Sequence, residues 1–121
     1  MLECVMKRLL AAVAVVTMLV GSSALAFDPA DLKKLRETNE CASCDLSQAD
    51  LFNDELTNAN LIGADLTGTN LSSANLSYTD LTYANLSGTD LSFIDLIFAR
   101  MNGTIFCDTT MPDGSVKKYS C

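Results

Sequence analysis

The sequence predicts an all-β solenoid: a coil of short segments that turns a corner every five residues, with a short capping α-helix at its N-terminal end. Three observations predict it. Leucine recurs at every fifth position, the residue two places before it is nearly always small, and the remaining positions are mainly polar, with glycine, asparagine or an aromatic at the last.

From Cys44 the chain divides into fourteen fives, beginning CDLSQ, ADLFN, DELTN and ANLIG. The central residue is leucine from Leu46 through Leu96, then Met101, Phe106 and Met111. A fixed period of this kind decides the architecture before any propensity argument applies. On a helix, five residues rotate a side chain by about 500°, so the leucines would scatter around the axis. On a straight strand, side chains alternate with period two, and an odd spacing sends successive leucines to opposite faces. The chain therefore bends within each repeat. With a bend of about 90° per repeat, four repeats close a square coil with every leucine inside, and coils stack at about 4.8 Å. The small position is Ala49, Ala59, Ala64, Ala74, Ala84 or Ala99, with Thr69, Thr79, Thr89 and Thr104 nearly as small. Gly63, Gly68, Gly88 and Gly103 fall at the last position, where a bend tolerates a residue without Cβ.

Residues 44–113 resemble the pentapeptide-repeat family, whose motif reads A(D/N)LXX. The resemblance implies a right-handed quadrilateral β-helix. Two departures stand at the small inward position. Asp54 needs a partner or access to water, and Ile94 needs a wider coil.

The elements follow in chain order. Residues 1–26 read as a secretory signal peptide: Lys7 and Arg8, an apolar run of about a dozen residues from Leu9, and the small-residue end Ala24-Leu25-Ala26. The run is shorter than the about 20 apolar residues of a spanning helix. Met6 offers a second start. Residues 27–43 form a cap and junction, with Asp28 as N-cap, Pro29 at the first helical position and Asp31 in the first turn. The helix is expected over 29–39, lying on the first coil. Residues 44–113 are the coil, and 114–121 a second cap, with Pro112, Asp113 and Gly114 in a tight turn and Val116 and Tyr119 folding over the last coil.

Cys41, Cys44, Cys107 and Cys121 lie beyond the signal peptide, an even number that suits two disulfides in an oxidising compartment. The coil ends stand roughly 17 Å apart, whereas a disulfide needs Cα atoms about 4.4–6.8 Å apart. Of three pairings, only Cys41–Cys44 with Cys107–Cys121 fits. The same separation argues against one metal site built from all four thiols.

The chain carries a formal charge of −7 and has no histidine or tryptophan. Removing residues 1–26 takes away Glu3, Lys7 and Arg8 and leaves about −8. Such a surface repels nucleic acid and anionic lipid. No histidine-dependent triad, glycine-rich phosphate loop or metal constellation is present, and carboxylates on outer walls lack the burial that raises a pKa for acid chemistry. No enzyme activity, cofactor or metal is expected.

Residues twenty apart should stack, so columns are legible: Asp45, Asp65 and Asn85; Asp50, Asn70 and Asp90; Glu55, Asn75 and Asp95; Asn60, Asp80 and Arg100. A further column holds Asn58, Tyr78 and Phe98, with Ile97 beside Phe98 and with Tyr83 and Phe93 on flanking walls. These exposed aromatics are the candidate interaction surface, for an unidentified protein partner or a second copy of the chain. The expected function is an exported, non-enzymatic scaffold or protein-binding module, in a periplasm or, in a photosynthetic source, a thylakoid lumen. The resemblance implies one alternative, a DNA-mimicking protector of gyrase, if the chain stays in the cytoplasm. Ice binding by the Ser47, Thr67 and Ser87 ladder is weaker still, because Cys107 ends that column.

Overall fold

The computed structural model describes residues 26–118 and 121. The expected signal peptide lies outside them except for Ala26, as does Tyr119.

Helix α1 spans Pro29–Thr38. Asp28 caps it by accepting the Ala30 N–H at 2.9 Å, and Pro29 starts it where no amide partner is lost. It ends one residue short of the expected boundary because Asn39 turns left-handed (φ 58°) while its N–H still reaches the Leu35 carbonyl. Leu35 is fully buried and Leu32 packs beside the core, which turns one face of α1 onto the first coil.

From Glu40 the backbone pairs in parallel with itself twenty residues on: Asp45 with Asp65, Glu55 with Asn75, Asn60 with Asp80, Asp80 with Arg100. One turn of the coil is therefore four repeats. Pairing runs through single bridges rather than long strands. The only strands among the described residues are β1 (Thr109–Thr110) and β2 (Val116–Lys117), an antiparallel pair. Every leucine from Leu46 to Leu91 is buried. Leu96 and Met101, at the end of the stack, are only partly covered.

Threonine replaces alanine at the small position without leaving a polar atom stranded. Thr69, Thr79, Thr104 and Thr109 hydroxyls donate to leucine carbonyls one coil back, at 2.7–2.8 Å. Thr79→Val keeps the volume and deletes one such bond. Because the Leu56 carbonyl still accepts from Ala59, the loss should be about 1 kcal/mol in urea unfolding.

Both departures from the repeat have physical answers. Asp54 meets Arg36, whose Nε lies 3.0 Å from Asp54 Oδ2 and whose Nη2 donates to the Asp50 carbonyl. The misplaced carboxylate thus ties α1 to the coil. Ile94, 5% exposed, fills a corner that alanine occupies one coil earlier at Ala74. Beside it the ladder opens: among the described residues, Leu71 and Ser73 make no bond to Asp90 and Ser92, although their counterparts Leu51 and Asn53 bond Asn70 and Ser72.

Cys41 occupies a leucine position and Cys44 an alanine position, and the two are bonded within the core. Cys107 is bonded to Cys121, which holds the tail against the last coil. Val116 differs from expectation. It is half exposed rather than folded over the coil, and the Lys117 ammonium covers the Phe106 ring instead, 5.3 Å from its centroid.

Candidate interaction surface

In each repeat the leucine carbonyl accepts the amide three residues on, and the intervening fifth-position residue has positive φ. This is the turn geometry that glycine or asparagine suits best. Gly63, Gly68, Gly88, Asn53 and Asn58 comply, yet Tyr78, Tyr83, Phe93 and Phe98 hold φ between 57° and 61°. A side chain there costs about 1–2 kcal/mol relative to a right-handed conformation. Glycine and asparagine at this position were the readable signal of that turn, but their occurrence at 53, 58, 63 and 68 does not foretell that aromatics adopt it too.

All five expected surface residues are exposed, Phe93 most of all at 96%. The structure does not gather them into one site. Tyr78 and Phe98 stack along the coil axis with ring centroids 5.2 Å apart. With Asn58, Asn60, Ile62, Asp80 and Arg100 they line a groove of about 550 Å³. Tyr83 belongs to another wall, where its ring lies over Gly103; a Cβ on that glycine would come within 2.5 Å of the ring. Phe93 stands alone on a third wall. Because that ring touches little and its backbone is left-handed, Phe93→Gly should cost no stability, and thermal melts should show an unchanged or slightly higher midpoint.

The acidic columns prove less free than the sequence suggests. In repeat after repeat the Asp or Asn side chain accepts the backbone N–H two residues on, as Asp45 does from Ser47, Asn75 from Ser77, Asp80 from Thr82 and Asp90 from Ser92. Several of those residues add their hydroxyl to the same oxygen, at 2.5–2.7 Å for Ser47, Ser77, Thr82, Ser87 and Ser92. These are Asx turns that shape each bend. Of the ladder considered for ice binding, the Ser47 and Ser87 hydroxyls are turned onto them.

Residues 55–92 match the family model for pentapeptide repeats, in eight copies. Over those residues the coil is similar to pentapeptide repeats. Three solved structures illustrate the likeness. HetL, a pentapeptide repeat protein involved in heterocyst differentiation regulation from the cyanobacterium Nostoc sp. strain PCC 7120, is 29% identical, with 64% of this chain and 43% of that chain covered and a TM-score of 0.44. Rfr23 from the cyanobacterium Cyanothece 51142 is 33% identical, covering 60% and 51%, with a TM-score of 0.48. A pentapeptide repeat protein from the Arabidopsis thaliana thylakoid lumen is 26% identical, covering 61% and 55%, with a TM-score of 0.34. The chain spans about half the length of these structures or a little less. No curated protein matches it.

Within the coil, bonding to Asp80 and Asp90 has a measurable consequence. The Thr82 hydroxyl, and then its amide and the Arg100 charge, hold Asp80 below its ordinary pKa of 3.8; the Ser92 hydroxyl and amide do the same for Asp90. A carboxylate with a depressed folded pKa contributes stability that is present above the unfolded value and lost as pH falls through the folded one. Urea midpoints should therefore hold down to about pH 4 and decline below it. Ser92→Ala should flatten that decline. Among the described residues no cluster of His, Cys, Asp or Glu could hold a metal ion, and no helix is long and apolar enough to cross a membrane.

Proposed function

We propose that this chain is an exported, non-enzymatic scaffold or protein-binding module, built on a right-handed quadrilateral β-helix and engaging its partner through the Tyr78–Phe98 face. One observation carries the reading: a ring pair is held exposed, in left-handed turns that favour glycine, beside a groove lined by Asn60, Asp80 and Arg100. Retaining bulky apolar side chains where glycine costs less is what a contact surface requires. The core supports the same reading, since leucines fill the coil interior and leave the chemistry-bearing residues on outer walls.

Two measurements test it. A fusion of residues 1–26 to a reporter that is active only after export should give signal outside the cytoplasm; retention inside would sink the exported reading and revive the topoisomerase alternative. Chemical crosslinking in the native host should give an adduct that Tyr78→Ser combined with Phe98→Ser abolishes. An adduct of unchanged yield would remove the ring pair from the interface.

A further inference from the structure

At the second position of each repeat the chain places Asp, Asn or Glu from Asp45 to Asp95, and then Arg100. The earlier members of this column are engaged by their own turns: Asn60 accepts the Ile62 N–H, and Asp80 accepts the Thr82 N–H on Oδ1, both at 3.1 Å. Arg100 has no acceptor to offer and forfeits that bond. Its guanidinium makes no hydrogen bond or ion pair among the described residues, although Asp80 is paired with it one coil back. Asp80 bonds Thr82 through Oδ1 alone, which leaves Oδ2 without a hydrogen bond among the described residues. Two opposite charges therefore stand one coil apart, about 4.8 Å along the axis, each with open bonding capacity. The neighbouring column is open at a matching place. Tyr78 and Phe98 stack with centroids 5.2 Å apart, but the coil before them carries Asn58 at the same left-handed corner, φ 62°. The Tyr78 face turned away from Phe98 thus has no ring against it among the described residues, and Asn58 and Ile62 line the groove there.

We propose that this groove binds a free α-amino acid with an aromatic side chain, in its zwitterionic form. The ligand ring takes the place over Asn58 and adds a third member to the Tyr78–Phe98 stack, at the about 4.5–7 Å that aromatic pairs favour. Its ammonium meets Asp80 Oδ2 and its carboxylate meets the Arg100 fork, so ring, ammonium and carboxylate follow the order of successive coils. Both contacts are charge-assisted, and a guanidinium matches a carboxylate in shape. Charge complementarity selects the class. A phosphate or sulfate would face the Asp80 carboxylate, an amine alone would face Arg100, and a neutral sugar would leave both ions without a countercharge. The groove, of about 550 Å³, falls within the roughly 300–1,000 Å³ of small-molecule sites, and like them it sets an apolar side against a few polar groups. The ring pair is shared with the proposed contact face, but no protein partner is required.

The probe is L-phenylalanine, titrated into the full chain while backbone amides are followed by NMR. Saturable shifts are expected at Asn58, Asn60, Tyr78, Asp80 and Arg100. Hydrocinnamate, which lacks the ammonium, phenethylamine, which lacks the carboxylate, and L-alanine, which lacks the ring, should each bind about fivefold more weakly. Arg100→Gln should erase the preference over phenethylamine. Asp80→Asn, which keeps the turn as Asn75 and Asn85 do, should erase the preference over hydrocinnamate. Asn58→Phe puts the chain's own ring in the gap, and it should block L-phenylalanine while the circular dichroism spectrum stays like the parent's. Equal binding of the four compounds, undiminished binding to Asn58→Phe, or no saturable shift would each overturn the proposal. A partner adduct that the Tyr78 and Phe98 variants abolish, in a chain that does not respond to L-phenylalanine, would overturn it and leave the contact face standing. L-Phenylalanine binding without any adduct would support it and remove the contact face.

Discussion

Leu76→Lys is expected to abolish cooperative folding. Leu76 is fully buried midway along the stack, between Leu56 and Leu96 in the same column. A lysine there has no route to water, because the interior is filled by the leucines of the neighbouring walls. No carboxylate lies in that core to receive it: the acidic side chains are outward, and Asp54, the exception, is already bound to Arg36. An unpaired buried ion costs several kcal/mol, against a total stability of about 5–15 kcal/mol for a domain. Because each coil contacts only its neighbours, the damage would split the array rather than remain at one residue. Circular dichroism should show no sharp transition on heating. Leu76→Met, which conserves volume, should cost less than about 1.5 kcal/mol and melt normally. A native-like melt in the lysine variant would contradict an interior of this kind.

The second large effect is expected where the tail is bonded to the last coil. Strands β1 and β2 share only two residue pairs, and Val116 is half exposed, so hydrogen bonding and burial alone hold the tail weakly. The covalent bond closes a segment of 14 residues in sequence separation. A loop of that size stabilises by about 3 kcal/mol in the chain-entropy account. Replacing Cys107 and Cys121 together by serine should lower the melting midpoint by on the order of 15 °C. The buried Cys41–Cys44 bond, which spans only 3 positions, is an internal comparison, and its entropic share is smaller. Limited proteolysis of the serine variant should cut first near residues 112–118. A midpoint within about 3 °C of the parent, with no new cleavage, would show that the tail does not close the coil.

Much of this architecture was legible in the residues. The columns inferred from a twenty-residue period are bridges from Asp45 with Asp65 to Asp80 with Arg100, except that Asn70 and Asp90 are not paired. Asp54 and Ile94 were recognisable as irregular, and one acquired Arg36 while the other opened the ladder beside it. The outward Asp and Asn residues were placed on the outer walls as expected, but their bonding was not read. They look like free surface when read as a row of charges, but their oxygens are taken by amides two residues away. The alternation of Asx with Ser or Thr two places later was the available clue. Tyr78 and Phe98 were read as one column with Tyr83 and Phe93 on flanking walls, and the twenty-residue pairing and the stacked ring pair agree with that placement.

By itself, the sequence determined the coil. A leucine every five residues is incompatible with a helix or a straight strand, and only a chain that bends once per repeat brings those side chains together. That conclusion needs nothing beyond the fixed geometry of the backbone. The tertiary structure alone decided which outward groups remain available. The partner of a carboxylate or an amide depends on the turn it occupies and on the coil stacked against it, twenty residues away. Residues in the last turn carry the same letters as those before them, yet among the described residues the Leu96, Phe98, Met101 and Gly103 amides lack the acceptors that Leu76, Tyr78, Leu81 and Tyr83 find one coil on.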